Sequence, residues 1–354
     1  MLSFFMRIGQ VLLGLGLFYL YGCDAPYYAH LARGQGKILL HRVPIEEILL
    51  RPQLNSDHRR QFELIQSIRT FSSSLGLQSN DSYTTFFDTQ GQPISWNISA
   101  SPPDHFKPFI WDFPIAGSVP YKGFFSRDLA TKERDALISA GYDAIARPVS
   151  AYSTLGFFSD PILSGMLSYS PGQLADLILH ELTHATAYSS GHTDYNESLA
   201  TFIGQQGSLV FLKDHFGRNT PHLQQAKERR ADISLFREFM ATTVASLDSL
   251  YSLGYSRETV LKQRSAVFTL RKAEYKKIKA QFAGLNYDYF LDWEVNNAQL
   301  LSFRRYNSKQ DLFLSVHKIN QHDFTRSMQV FSSCAETDDP WHCLLLASKV
   351  QPIN

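Results

Sequence analysis

His180-Glu181-Leu182-Thr183-His184 sets two imidazoles four residues apart, with a carboxylate directly after the first. Residues four apart share one face of an α-helix, so both rings can present a nitrogen to one metal ion. Glu181 lies about 100° round the helix from His180 and can reach an activated water without being a ligand. A hydrolytic zinc needs a third protein ligand and one position left open for water. Glu197 is the candidate. Twelve residues separate it from His184, running through the turn-rich Ser189-Ser190-Gly191-His192-Thr193-Asp194 into a second helical segment that begins near Asn196.

The chemistry follows from charge. Zinc held by two neutral imidazoles and one carboxylate stays net positive and lowers the pKa of water toward ~7. Glu181 then takes the proton and returns it to a leaving amine, which is amide hydrolysis without a covalent intermediate. A developing oxyanion needs a hydrogen-bond donor, and Tyr152, His192 and Tyr306 are the candidates. Tyr152 is preferred, because Ser153-Thr154-Leu155-Gly156 beside it reads as an edge strand along which a substrate backbone can align. Asp160 and Asp194 are candidates to pair with a free substrate amine, although Asp also commonly caps turns.

These residues need elements to position them. The apolar run from Leu174 to Leu179 behind Pro171-Gly172 predicts a buried helix that carries the histidines. Upstream, residues 27–77 read as helical, with Phe62, Ile65, Ile68 and Phe71 at spacings of three. Residues 81–158 change to short aromatic and β-branched runs. Tyr83 to Phe87 and Ile94 to Ile98 flank Asp88-Thr89-Gln90-Gly91 as an expected hairpin. Residues 127–140 predict a helix with Leu129, Leu137 and Ile138 as apolar contacts and Gly141 as its stop. A strand at 142–149 follows, placed at an edge by Pro148. From residue 171 to 354 helix signals dominate, notably over 224–253 and 257–282. The expected fold is α+β and zincin-like: mostly helical, with a small β-sheet whose edge strand lies above the His180 helix. No repeat or low-complexity tract interrupts it.

The 354 residues carry 34 Lys+Arg against 33 Asp+Glu, so no overall field recruits nucleic acid or an anionic membrane. Lys227-Glu228-Arg229-Arg230 and Lys276-Lys277 read as solvated helix faces. The N-terminus differs: Arg7, an uncharged apolar run from Ile8 to Tyr21, then Gly22-Cys23. That is signal-peptide anatomy over residues 1–22, followed by a single domain over 23–354. Leu20-Tyr21-Gly22-Cys23 resembles a lipobox, which implies acylation of Cys23 and membrane attachment. Asp24 after it implies an inner-membrane, periplasm-facing anchor, with the outer membrane as the alternative. In an oxidising compartment Cys334 and Cys343 either close a small loop or remain two free thiols.

Further segments carry a resemblance: Tyr27-Tyr28 and Ala32-Arg33-Gly34-Gln35, Phe113-Pro114-Ile115-Ala116-Gly117, Val119-Pro120-Tyr121-Lys122-Gly123-Phe124-Phe125, Ala151-Tyr152-Ser153-Thr154-Leu155-Gly156, the His-Glu-x-x-His helix, Asn196-Glu197-Ser198-Leu199-Ala200-Thr201 and Asn296-Asn297-Ala298. Over most of the mature chain the sequence resembles a bacterial family of predicted aminopeptidases, many of them lipoproteins, with a zincin-like signature. The resemblance implies that His180, His184 and Glu197 ligate zinc, that Glu181 is the base and that the substrate is a peptide. Two departures stand out. Members of the family often flank the Phe-Pro-x-Ala-Gly segment with two cysteines, where this chain has Asp112 and Ser118. The better-known gluzincin peptidases place the glutamate farther from the second histidine. Two other functions fit the same residues: an envelope lipoprotein with a structural zinc, acting in binding or assembly, and an amidase for cell-wall peptides.

Overall fold

A computed structural model describes residues 25–349 except 79, 115–116, 150–158 and 307. Tyr152 with its expected strand, and Cys23 with Asp24, lie outside the described residues. The chain opens with α1 (Ala25–His41), β1 (Val43–Pro44), α2 (Ile45–Leu49) and α3 (Ser56–Ser72). Short strands follow: β2 (Thr85–Phe87), β3 (Ser95–Ser101), β4 (Trp111–Phe113), β5 (Gly117–Val119) and β6 (Lys122–Phe124). Helix α4 (Arg127–Ser139) precedes β7 (Asp143–Val149) and β8 (Ile162–Leu163). The remainder is helical: α5 (Pro171–Thr186), α6 (Thr193–Phe216), α7 (Pro221–Tyr251), α8 (Arg257–Ile278), α9 (Asn297–Tyr306), α10 (Gln310–Ile319), α11 (Phe324–Ala335) and α12 (Pro340–Ala347).

Among the described residues, β3 is the middle strand of an antiparallel sheet ordered β6-β3-β7, and β2 the middle of a second sheet ordered β1-β2-β8. The hairpin expected between β2 and β3 does not form. Gln90 and Gly91 do turn the chain with positive φ, but Thr89 donates its backbone N–H to Ser164 Oγ at 3.0 Å. That contact ties the turn to the segment after β8, so β2 pairs with β1 and β8 while β3 leaves for the other sheet. A second correction concerns α4. Leu137 packs against the sheet as expected, but Leu129 and Ile138 are exposed and Ala130 is the fully buried residue, because the face laid on β3 and β7 runs through Ala130 and Leu137. Gly141, at φ 87°, ends the helix as an αL residue.

Cross-strand geometry explains one departure from the resembling family. Asp112 and Ser118 are direct partners across β4 and β5, and the Ser118 hydroxyl donates to the Asp112 carboxylate. A hydrogen bond thus stands where a cysteine pair would bridge. Another pair of family segments meets in space: a Cβ on Gly34 would sit 2.1 Å from the Phe125 ring, so only glycine lets that ring seat on α1. The His30 ring accepts the Phe125 backbone N–H at 3.0 Å.

The largest apolar core lies around α3, α5, α6 and the C-terminal helices, and includes Ile65, Ile68, Leu174, Ile178, Leu179, Leu199 and Phe313. A second, aromatic core is built on α7 and α8, with Phe236, Phe239, Phe268, Tyr275 and Phe290. A bidentate Arg264–Asp143 pair at 2.7 and 3.1 Å links α8 to β7. The Asp143 carboxylate also accepts the Asn297 backbone N–H at the start of α9. Cys334 and Cys343 form a disulfide that joins α11 to α12, which resolves the alternative left open by sequence.

Candidate metal centre

Helix α5 is fixed at its start by a capping box. Ser170 accepts the Gln173 backbone N–H, Gln173 accepts back from Ser170, and Pro171 occupies the first turn, where its missing N–H costs nothing. Leu174, Ile178 and Leu182 then turn inward, which fixes the rotation of the helix and sends His180 and His184 to its other face. Helix α6 returns antiparallel against it through residues 187–192. The return is stapled by Asn196, whose Oδ1 accepts the Ser189 N–H and whose Nδ2 donates to the Ser189 carbonyl, both at 2.8 Å. Glu197 is the next residue, so the staple sets its height against the histidines.

Close approach of the two helices depends on glycine. A Cβ on Gly204 would fall 2.6 Å from the Asp176 carbonyl oxygen, and one on Gly207 would fall 3.0 Å from a Leu179 methyl of α5. Each helical glycine costs about 1 kcal/mol relative to alanine. That cost is offset by a helix pair tight enough to bring side chains across the seam.

His180 Nε2 lies 3.4 Å and His184 Nε2 3.7 Å from Glu197 Oε2. These three residues form a group that can hold a metal ion, their ligand atoms all within 4.8 Å of one another. Ordinary N–H···O bonds span about 2.7–3.2 Å, so neither ring is well bonded to the carboxylate. A tetrahedral zinc with ~2.1 Å bonds separates its ligand atoms by roughly 3.4 Å, close to the 3.4 and 3.7 Å between Glu197 and the two rings. Two imidazole nitrogens and one carboxylate oxygen at this spacing are donors of the type that can hold such an ion. His184 Nδ1 is buried without a partner among the described residues, a loss of about 1–3 kcal/mol for an arrangement not optimised for internal hydrogen bonding.

Charge is concentrated here. Burial disfavours the His180 imidazolium, yet Glu197, Glu181 and Asp176 together hold its pKa up at about 9. Burial also works against the Glu197 carboxylate, but His184 and His180 outweigh it and hold Glu197 well below the usual carboxylate range. Such a cluster is primed for a cation, which would replace the imidazolium proton as Glu197's counter-charge.

Tyrosines surround the carboxylates. The Glu197 field, then burial, raises the Tyr306 phenol well above its ordinary value, and the Tyr306 ring stacks 6.2 Å from His180. Burial first and Glu197 second raise Tyr121 and Tyr188. Burial, then Glu181 and Asp160, raise Tyr83. Tyr306 arrives by way of Ser198: its hydroxyl donates to the Arg305 carbonyl and accepts the Ser308 N–H, both at 3.1 Å. Asn196, Glu197 and Ser198 thus act in succession as staple, candidate ligand and anchor. Tyr121 is brought in by Arg305, whose guanidinium lies 5.4 Å from the Tyr121 ring. Sequence reasoning passed over Tyr121, although its segment was among those carrying the resemblance.

Other candidates serve elsewhere. His192 bonds within its own turn, to Ser189 and Ser190. Asp194 accepts the Trp341 indole N–H at 3.0 Å and stays exposed. Asp160 is buried beside Tyr83, where its backbone meets Ser82 and Tyr83. Asn297 is structural, donating Nδ2 to the Pro102 carbonyl and accepting the Tyr251 hydroxyl.

The family model described as Putative aminopeptidase matches residues 26–340. No curated protein and no solved structure matches the chain.

Proposed function

Because the chain belongs to the family described as Putative aminopeptidase, we propose that it is a zinc-dependent aminopeptidase with His180, His184 and Glu197 as ligands and Glu181 as general base. One observation carries the reading: two imidazole nitrogens lie 3.4 and 3.7 Å from one carboxylate oxygen, a spacing suited to an ion between them. When bound, zinc supplies Lewis acidity, acidifying water and polarising a carbonyl. Glu181 takes the proton of the attacking water on its carboxylate and delivers it to the leaving nitrogen as the C–N bond breaks. The Tyr306 hydroxyl, beside His180, donates a hydrogen bond to the oxygen on which charge develops. Tyr121 is the second such donor among the described residues, and Tyr152 keeps the role that sequence assigned it.

On this reading the architecture is an α+β, zincin-like one, supported by the paired α5 and α6 and the small sheet ending in β7. The chain would act at the periplasmic face of a membrane, tethered through Cys23. No described helix is long and apolar enough to cross a membrane. A structural zinc would ordinarily fill all four positions with protein ligands. The described residues supply three.

The test combines metal analysis with peptide hydrolysis. The wild-type chain should hold about one zinc, and Glu181→Gln should keep that zinc while losing on the order of 10²–10⁴-fold in rate. Unchanged hydrolysis by a zinc-bearing Glu181→Gln chain would remove the base assignment.

A further inference from the structure

As sequence, Arg229 and Arg230 read as part of a solvated helix face. In the fold both line a cavity of about 260 Å³ bounded by α5, α6 and α7, together with Asp176, Gln173, Gln205 and Ser208. Asp176 stands one helical turn before His180 on the same face of α5, so the two Cβ atoms are about 5–6 Å apart. A Cβ added to Gly204 would meet the Asp176 Oδ1 at 2.4 Å, so the glycine makes room for the carboxylate itself.

The Asp176 carboxylate makes no hydrogen bond or ion pair among the described residues. Burial pushes its pKa up to about 6, against the pull of His180, Arg229 and Arg230. Arg230 is engaged with Gln206 at 2.8 Å, whereas Arg229 has no such partner among the described residues. Asp176 and Arg229 are both half-buried, and charges withdrawn from water are ordinarily paired. A carboxylate and a guanidinium that share a cavity without touching suit a guest that carries both opposite charges.

We propose that this cavity is the subsite for the substrate's N-terminal residue: its ammonium pairs with Asp176, and its polar or acidic side chain extends toward Arg229. The inference rests on the aminopeptidase reading above and names the group that selects a free amine. Gln173, Gln205 and Ser208 offer hydrogen bonds to such a side chain, while Leu209, Ala226 and Ile233 line the cavity beside its methylenes and the Glu228 carboxylate there is engaged by Gln224. Asp176 stands one turn from His180, so the first peptide bond of a substrate held there would lie toward the metal ligands, which are not themselves part of the cavity lining. Water adds to its carbonyl carbon, the C–N bond breaks and the proton passes to the leaving nitrogen. The products are one free amino acid and a peptide shortened by one residue.

The experiment uses the full metal-loaded chain and peptides beginning with glutamate, glutamine or leucine, each with a free and an acetylated N-terminus. Calorimetric titration with glutamate and with N-acetylglutamate accompanies it. Free amines should be favoured on the order of 10–100-fold, the value of a hydrogen-bonded charge. Asp176→Asn should erase that preference with metal content unchanged, and Arg229→Gln should narrow the ratio of glutamate to leucine. Equal cleavage of free and acetylated peptides overturns the subsite and leaves a metallopeptidase standing. Metal loss in Asp176→Asn also overturns it, since the residue would then act by holding His180. Should the variants fold poorly, the wild-type titration decides: equal affinity for the two amino acids overturns the proposal. If no peptide is cleaved at all while metal is bound, the failure belongs to the aminopeptidase reading instead.

Discussion

The seam between α5 and α6 and the aromatic core on α7 and α8 solve opposite packing problems. At the seam, Gly204 and Gly207 remove side chains so that two backbones approach and polar groups cross between them. In the aromatic core, volume is added: the Phe236 ring stacks on Tyr287 at 3.9 Å and meets Phe239, Tyr275 and Phe290 edge-on or stacked within about 6.5 Å. Small residues at the seam give precise placement and leave orphaned polar atoms such as His184 Nδ1. Large ones on α7 give stability, and the Tyr275 hydroxyl among them is satisfied by Asp288. The contrast separates the candidate ligands from the residues that hold the scaffold, and it can be broken at either end.

The largest effect belongs to the seam. Glu197→Gln should weaken metal binding by at least about 100-fold, since even groups behind a ligand are worth 10–100-fold, and hydrolysis should fall with it. Metal titration followed by circular dichroism checks that the fold persists. In the other region, Phe236→Ala should cost about 3–5 kcal/mol in urea unfolding while metal stoichiometry stays at the wild-type value. Metal loss in that variant would mean the two regions are not separable.

An intermediate effect tests the core shared by the seam. His317 is buried, bonded through Nδ1 to Ser327 Oγ at 2.9 Å, and burial followed by the field of His322 lowers its pKa to about 4. Its proton therefore binds more tightly to the unfolded chain. Its contribution is intact above about pH 6.5 and is lost as pH falls to about 4, for roughly 3 kcal/mol across the window. The difference in unfolding free energy between wild type and His317→Gln, followed from pH 7 to 4, should shrink by that amount. The smallest effect is Gly204→Ala: helix propensity gains about 1 kcal/mol, overpacking costs about 1–3 kcal/mol, and the displaced α6 should weaken metal binding more than it lowers the melting temperature. Equal losses in both would deny the seam its positioning role.

How much was legible in sequence depended on how local each signal was. His180 and His184 could be read as a pair because helical periodicity alone puts them on one face. Glu197 could be read from a short connection and a second helix. The Asp88–Gly91 turn was legible but its consequence was not, because a turn motif does not say which sheet the next strand joins. Leu129 and Ile138 misled for a similar reason: apolar residues on a short helix reveal a face only when the surface opposite is known. Arg229 and Arg230 sit in a charge run that usually means solvent, and only the packing of α7 over α5 and α6 places them in a cavity.

By itself the sequence determined which face of α5 can hold a metal, the chemistry its donor atoms can support and the family to which the chain belongs, since each depends on residue types at fixed short spacings. Only the tertiary structure decided that Glu197 stands 3.4 and 3.7 Å from the two histidines, that Tyr121 and Tyr306 surround it, and that Asp176 shares a cavity with Arg229. Those relations join residues tens to nearly two hundred positions apart. They depend on how closely the helices approach, a distance set by glycines and staples whose effect is not local.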